Sequence, residues 1–121
     1  MAHPHISYQI TFEIEKDSEI IVGKLGKFVF PKGIYIYTGS AKSNIDKRIS
    51  RHKSKTKKMH WHIDYVLVSP SCKIISIEKS ELPECRLNQT VEGEIIAPGF
   101  GSSDCKNKCQ SHLKRLVSGT E

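Results

Sequence analysis

The stretch GIYIYTGSA, residues 33–41, sets Tyr35 and Tyr37 two positions apart in a run of strand-forming residues that ends on Gly39 and a polar turn at Ser40. Residues two apart on a strand point to the same face, and tyrosine favours strands in its own right. Both rings could therefore simply pack in a core. The sequel gives chemistry a claim: a helical period follows in which Ile45, Ile49 and His52 share a face, with Lys47, Arg48 and Arg51 around it. That helix returns Arg48 and His52 beside the strand end. A phenol, a guanidinium and an imidazole meeting at a phosphate-attracting surface could work on a phosphodiester.

The surface around them is basic. The 121-residue chain carries 19 Lys plus Arg against 13 Asp plus Glu, a formal net charge of +6. The excess is concentrated in Lys42, Lys47, Arg48, Arg51, Lys53, Lys55, Lys57 and Lys58, opposed within that segment only by Asp46. Such a block suits a polyanion, most often nucleic acid, because each neutralised phosphate releases a condensed counterion. A solvated lysine-rich loop has the same composition.

Two further clusters could do chemistry. His60, His62 and Asp64 alternate through HWHID, as metal ligands would, and equally as a polar strand face or one side of a groove would; contact with substrate or orientation of catalytic groups is the preferred role. Cys105, Cys109 and His112, with Cys85 nearby, form a donor set of the kind zinc takes. The C-x-x-x-C spacing is looser than the strongest zinc signatures. Buried thiols capping the final helix are preferred, and zinc is not expected.

These groups must be held by local elements. ISYQITFEIE, 6–15, alternates with Ile6, Tyr8, Ile10, Phe12 and Ile14 on one side, a half-buried strand. Lys16, Asp17 and Ser18 make a turn, EIIVGKLGKFVF is a second extended segment broken by Gly23 and Gly26, and residues 34–38 are a third strand. Ser43 or Asn44 caps the helix that carries Arg48. HWHIDYVLVS reads as helix or strand, and KIISIEK, 73–79, as a strand. Ser80 caps a helix with Pro83 in its first turn, running through Glu84, Leu87 and Val91, and KCQSHLKRLVS ends the chain as a helix. Short turns between neighbouring strands imply antiparallel pairing, since parallel strands need a long crossover. The expected fold is α/β of the α+β kind, a small antiparallel sheet flanked by helices, in one domain over 1–121. No run of about 18 apolar residues occurs and MAHPHISYQ lacks a signal-peptide layout. A soluble, cytoplasmic protein with reduced cysteines is expected.

The motifs together resemble a known family. YTGSA at 37–41 followed by DKRISRH at 46–52 is similar to the second half of the GIY-YIG nuclease motif. HWHIDY at 60–65, EC at 84–85, GFGSSDC at 99–105 and SHL at 111–113 resemble, in order, a small subfamily of unknown function that stands alone or is attached to endonuclease III-type DNA glycosylases. In GIY-YIG proteins the two tyrosines lie on adjacent strands, so the resemblance makes ISY at 6–8 the first half of the motif. Ile6 replaces the glycine there, and residues 16–33 are a longer insertion. The letters GIY at 33–35 are then a coincidence, and Tyr35 only supports the site.

The resemblance implies roles. Tyr8, Tyr37, Arg48 and His52 are the catalytic candidates; Gly39, Ser40, Lys47, Arg51, His60, His62 and Asp64 support the motif or bind substrate. Glu84 matches the family glutamate that holds one divalent ion, Mg²⁺ or Mn²⁺, although its charge would also favour a helix N-terminus. The implied reaction is metal-assisted phosphodiester hydrolysis, with one of Tyr8 or Tyr37 accepting the proton of water, Arg48 neutralising phosphorane charge and His52 relaying or orienting. Nucleic acid, DNA first, is the implied partner, with a DNA-repair protein as a second partner. The rivals are a binding module of the same fold that has lost cleavage and a protein-interaction module.

Overall fold

The computed structural model describes residues 6–41, 44–54, 58–59, 61–100 and 111–116. In chain order the strands are β1 (Ser7–Ile14), β2 (Ser18–Val22), β3 (Gly26–Phe30), β4 (Gly33–Ser40), β5 (Cys72–Ser80), β6 (Gly93–Glu94) and β7 (Leu113–Leu116); the helices are α1 (Ile45–Lys53), α2 (His62–Leu67) and α3 (Glu84–Gln89). The alternation of β1 buries Tyr8, Ile10, Phe12 and Ile14, and each full burial of such a side chain contributes about 1.5–3 kcal/mol. β4 runs antiparallel to β1 with Gly39 opposite Tyr8, Tyr37 opposite Ile10 and Tyr35 opposite Phe12. Residues directly opposite share a face. The tyrosines of both strands therefore lie on the buried face.

The main sheet has five antiparallel strands in the order β5, β1, β4, β7, β6, and β2 with β3 forms a separate two-stranded sheet. The fold is α+β, as the alternation and turn chemistry predict. β5 is an edge strand, and its register against β1 slips after Thr11, leaving Ile75 as an extra, exposed residue. A bulge of this kind twists an edge and blunts it against further pairing.

Residues 16–33 form a folded hairpin: β2 and β3 are joined by a 3-10 turn over Gly23–Leu25, where Gly23 (φ 47) and Gly26 (φ 123) take angles that glycine tolerates. The hairpin docks by Val22 and Phe30, both fully buried, and the Phe30 ring meets those of Tyr35 and Phe100 edge-on at 6.2 and 6.3 Å. Tyr35 stacks on Phe12 at 5.5 Å and donates its hydroxyl to Pro31 O at 2.6 Å. It belongs to this packing.

Several local expectations are corrected. The segment read as a final helix contains β7 instead, with Ser111, His112 and Leu113 buried and Tyr37 opposite Leu113. Leu113 and Leu116 have helical spacing, but β4 has a free edge on the side away from β1, and filling its backbone hydrogen bonds outweighs that local pattern. HWHID does not form an alternating strand face, because α2 starts at His62 and Asp64 lies in its first turn, where it accepts the Trp61 N–H at 2.8 Å. Asn44 precedes α1 in a left-handed conformation with no side-chain cap bond; Ser43 lies outside the described residues. Ser80 ends β5 rather than capping α3, Pro83 takes the cap position, and the helix stops at Gln89, short of Val91. Among the described residues no helix is long and apolar enough to cross a membrane.

Candidate functional site

A phenol, an imidazole and a glycine form the centre of the site. The Tyr8 hydroxyl lies 2.7 Å from His52 Nε2, joining the first strand to the last turn of α1. The Tyr8 ring can lie there because its cross-strand neighbour is Gly39. A Cβ on Gly39 would fall 2.6 Å from both Cζ and the hydroxyl of Tyr8. Gly39→Ala is accordingly expected to cost about 1–3 kcal/mol by overpacking, measured by urea unfolding, and to push the phenol off His52. Unchanged stability would show that the ring has room elsewhere.

Tyr37 stands one register step away, and its ring meets those of His52 and Phe100 edge-on at 6.4 and 6.2 Å. Burial is the main influence on both site phenols. It pushes Tyr8 well above the ordinary tyrosine range, against the charge and hydrogen bond of Arg48, which pull it down, while Glu84 and Asp64 add to the rise. Tyr37 is pushed up for the same first reason, with Tyr8, Glu84 and Asp64 adding to it and Arg48 opposing. Both phenols are thus held neutral at ordinary pH. The contact with His52 separates the two tyrosines: the Tyr8 hydroxyl reaches a ring nitrogen, and Tyr37 packs on the ring.

Arg48 binds Ser40 O at 2.7 Å through Nη1, which ties α1 to the end of β4. Its guanidinium also lies over the Trp61 ring, 4.6 Å from the centroid, and that of Arg51 lies 4.5 Å from the same centroid. Three residues apart on a helix, the two arginines project to one side. Trp61 in turn is 5.7 Å from the His52 ring. Trp61 is the residue that sequence reasoning passed over. Its signal was an aromatic just beyond a helix with arginines spaced i, i+3, since such planes attract cations by about 0.5–2 kcal/mol.

The remaining basic and HWHID candidates divide. Arg51 is committed inward: Nη1 and Nη2 bind the Asp64 carboxylate at 2.9 and 3.0 Å, and Nη2 also binds Lys58 O at 2.6 Å. Asp64 is fully buried, so this pair is a tie between α1 and α2. Arg51 and Asp64 are thus engaged with each other across the two helices. Lys47 is exposed on α1, and the half-buried His62 packs its ring 5.6 Å from Phe100, one aromatic removed from Tyr37. His60, Lys42, Lys55 and Lys57 lie outside the described residues. A separate groove between α1 and β5, lined by Asp46, Ile49, Lys53 and Ile77 among others, contains none of the catalytic candidates.

Glu84 opens α3, and its charge acts on both site phenols. With a side chain 27 % exposed, the carboxylate reaches both the buried cluster and solvent. Its Oε2 lies 3.2 Å from Nδ1 of the buried His112, whose Nε2 faces Cys85 Sγ at 3.8 Å. Of the zinc-type set, Cys85 and His112 are therefore adjacent, while Cys105 and Cys109 lie outside the described residues. Among the described residues no three His, Cys, Asp or Glu side chains gather as a metal-holding group.

The structure thus joins Tyr8, Tyr37 and His52 in direct contact, with Arg48 on the same helix as His52 and the charges of Arg48 and Glu84 both felt by the two phenols. Neither the curated proteins nor the solved structures contain a match to the chain. One family profile does match, covering residues 7–121 and with them every described element. The chain belongs to the family described as Domain of unknown function DUF123.

Proposed function

We propose that the chain is a metal-dependent endonuclease that hydrolyses phosphodiester bonds of DNA, in the manner of the GIY-YIG nucleases whose motif it resembles. The observation that carries this reading is the 2.7 Å contact between the Tyr8 hydroxyl and His52 Nε2, at a phenol on which the charges of Arg48 and Glu84 both act. A neutral, buried phenol is a poor base by itself, because its conjugate base is disfavoured by burial. Joined to an imidazole it can act as a relay: Tyr8 passes its proton to His52 Nε2 as it takes one from the attacking water. The hydroxide so formed attacks phosphorus, and the proton rests on His52, in the tautomer that left Nε2 open to receive it. Arg48, held by Ser40 O and stacked on Trp61, supplies a fixed cation for the non-bridging oxygens.

The donor set fits a single hard cation. Glu84 offers one partly exposed carboxylate, with the His112 ring as its neighbour at 3.2 Å and no group of three or more His, Cys, Asp or Glu among the described residues, an arrangement that would leave most of the coordination to water and phosphate, as Mg²⁺ prefers. Bound there, the ion would supply Lewis-acid stabilisation of phosphate charge and of the leaving oxygen. Lys47, Lys53 and Lys58, exposed around α1, would hold the flanking phosphates.

A second reading is favoured by one observation: Tyr8 and Tyr37 are only 2 % and 6 % exposed, as suits residues that pack and do not react. On that reading the fold and its basic face bind nucleic acid without cutting it. Incubation with supercoiled plasmid, branched DNA and single strands, in Mg²⁺ or Mn²⁺ against EDTA, separates the two. The nuclease reading expects metal-dependent nicking that is lost in Glu84→Ala and Arg48→Ala. Salt-sensitive binding that leaves every substrate intact would select the binding module.

A further inference from the structure

We infer that His112 is the positioning residue for the Glu84 carboxylate, a buried imidazole that fixes the direction in which the proposed metal ligand points. The inference rests on the metal role proposed for Glu84 and extends it to the SHL segment, which that reading leaves unused. His112 is 1 % exposed, and its two ring nitrogens face consecutive residues of α3: Nδ1 lies 3.2 Å from Glu84 Oε2, and Nε2 lies 3.8 Å from Cys85 Sγ. Since the contacts use opposite nitrogens, the ring bridges the two residues.

The ring is well placed for this because its backbone is held on both sides. His112 N donates to Phe100 O at 2.8 Å, and Thr38 N donates to His112 O at 2.9 Å, so the residue is stitched to β4, the strand that carries Tyr37. Next to it, Asn88 Nδ2 donates to Ser111 O at 2.9 Å, tying α3 to the same segment. A glutamate at the start of a six-residue helix has three side-chain torsions to settle, and only its inner end is enclosed. The imidazole gives one carboxylate oxygen a fixed neighbour and leaves the other for an ion. The 3.2 Å contact of Nδ1 with Glu84 Oε2 is at ion-pair distance without the alignment of a hydrogen bond; the positioning role takes the neutral tautomer with the proton on Nδ1, which a small turn of the carboxylate would align, and with Nε2 facing the Cys85 thiol. Carboxylates that hold metals are commonly oriented by such partners, whose loss typically costs about 10–100-fold in metal affinity.

The test is Mn²⁺ binding to the full chain, followed by electron paramagnetic resonance, for wild type, Glu84→Gln, His112→Phe and His112→Asn. The expected result is a loss of binding in Glu84→Gln and a roughly 10–100-fold weaker affinity in His112→Phe. His112→Asn should recover most of that affinity, since its amide N–H can stand where Nδ1–H did. A folded His112→Phe that binds Mn²⁺ as wild type does, while Glu84→Gln has lost it, overturns the positioning role alone. Wild-type protein that binds no Mn²⁺, or binding that survives Glu84→Gln, overturns the metal reading and this inference with it. Should His112→Phe fail to fold, the ring nitrogen resonances of wild-type His112 decide. An Nδ1–H tautomer that changes in Glu84→Gln supports the inference, and an Nε2–H tautomer overturns it.

Discussion

Tyr8→Phe is expected to lower metal-dependent nicking by about 10²–10⁴-fold, the range that a positioned proton-transfer group contributes. The ring stays, so the contact with Gly39 is kept and only the hydroxyl at 2.7 Å from His52 Nε2 is lost. Stability should fall by about 1–3 kcal/mol, because the buried imidazole nitrogen loses a partner that phenylalanine cannot replace. Nicking and unfolding must therefore be measured together, with the rate taken well below the variant's melting temperature. Tyr37→Phe is the comparison: its ring touches His52 only edge-on, at 6.4 Å between centroids, and the variant should keep most of the rate. The reverse ranking would place the relay on the wrong tyrosine. Burial holds the Tyr8 phenol above its usual range, so the wild-type rate should show no rise from phenol ionisation as pH approaches about 10.

Arg51→Met is expected to be the most destabilising change on α1, by about 3–5 kcal/mol, as for removal of one partner of a buried ion pair. Asp64 is fully buried and bound by both terminal nitrogens of Arg51, so the variant takes two charge-assisted hydrogen bonds and the countercharge from a carboxylate in the core, while the Trp61 N–H contact stays. Methionine keeps most of the arginine's volume, which confines the effect to charge and hydrogen bonding. Urea unfolding measures the loss, and Arg51→Met with Asp64→Leu should restore a large part of it, because an apolar pair of similar volume substitutes well for a buried ion pair. A loss below about 1 kcal/mol would mean that the pair behaves as an exposed one. DNA binding at moderate salt should change little once the fold is secured, in contrast to substitution of an exposed lysine such as Lys47.

How much of this was legible in the sequence depends on whether the deciding interaction was local. The alternation of Tyr8, Ile10, Phe12 and Ile14 fixed β1 and its buried face, and the helical period of Ile45, Ile49 and His52 fixed α1. The adjacency of the Tyr8 and Tyr37 strands followed from the motif resemblance; the structure has these strands paired, with Tyr8 opposite Gly39. β7 was missed because its strand state is set by the free edge of β4, some 75 residues earlier in the chain, and not by the i, i+3 leucines within it. Asp64 looked like a site residue because an acid alternating with His60 and His62 suggests a ligand; its capping contact with Trp61 and its ion pair with Arg51 depend on where α1 and α2 come to rest. Trp61 was seen only as part of HWHIDY and His112 only as an alternative zinc ligand, because their contacts with Arg48, Arg51 and His52 and with Glu84 and Cys85 depend on planes and distances set elsewhere in the fold.

The central claim is that Tyr8, His52, Arg48 and Glu84 act together on a scissile phosphate. The most direct measurement is single-turnover cleavage of supercoiled plasmid with saturating protein, wild type against Glu84→Gln, at equal DNA occupancy and with Mg²⁺ added to start the reaction. The account predicts nicking by wild type that EDTA abolishes, and full binding without nicking by Glu84→Gln. Wild-type protein that covers the DNA and never cuts it, or equal cutting by the two proteins, would contradict the account.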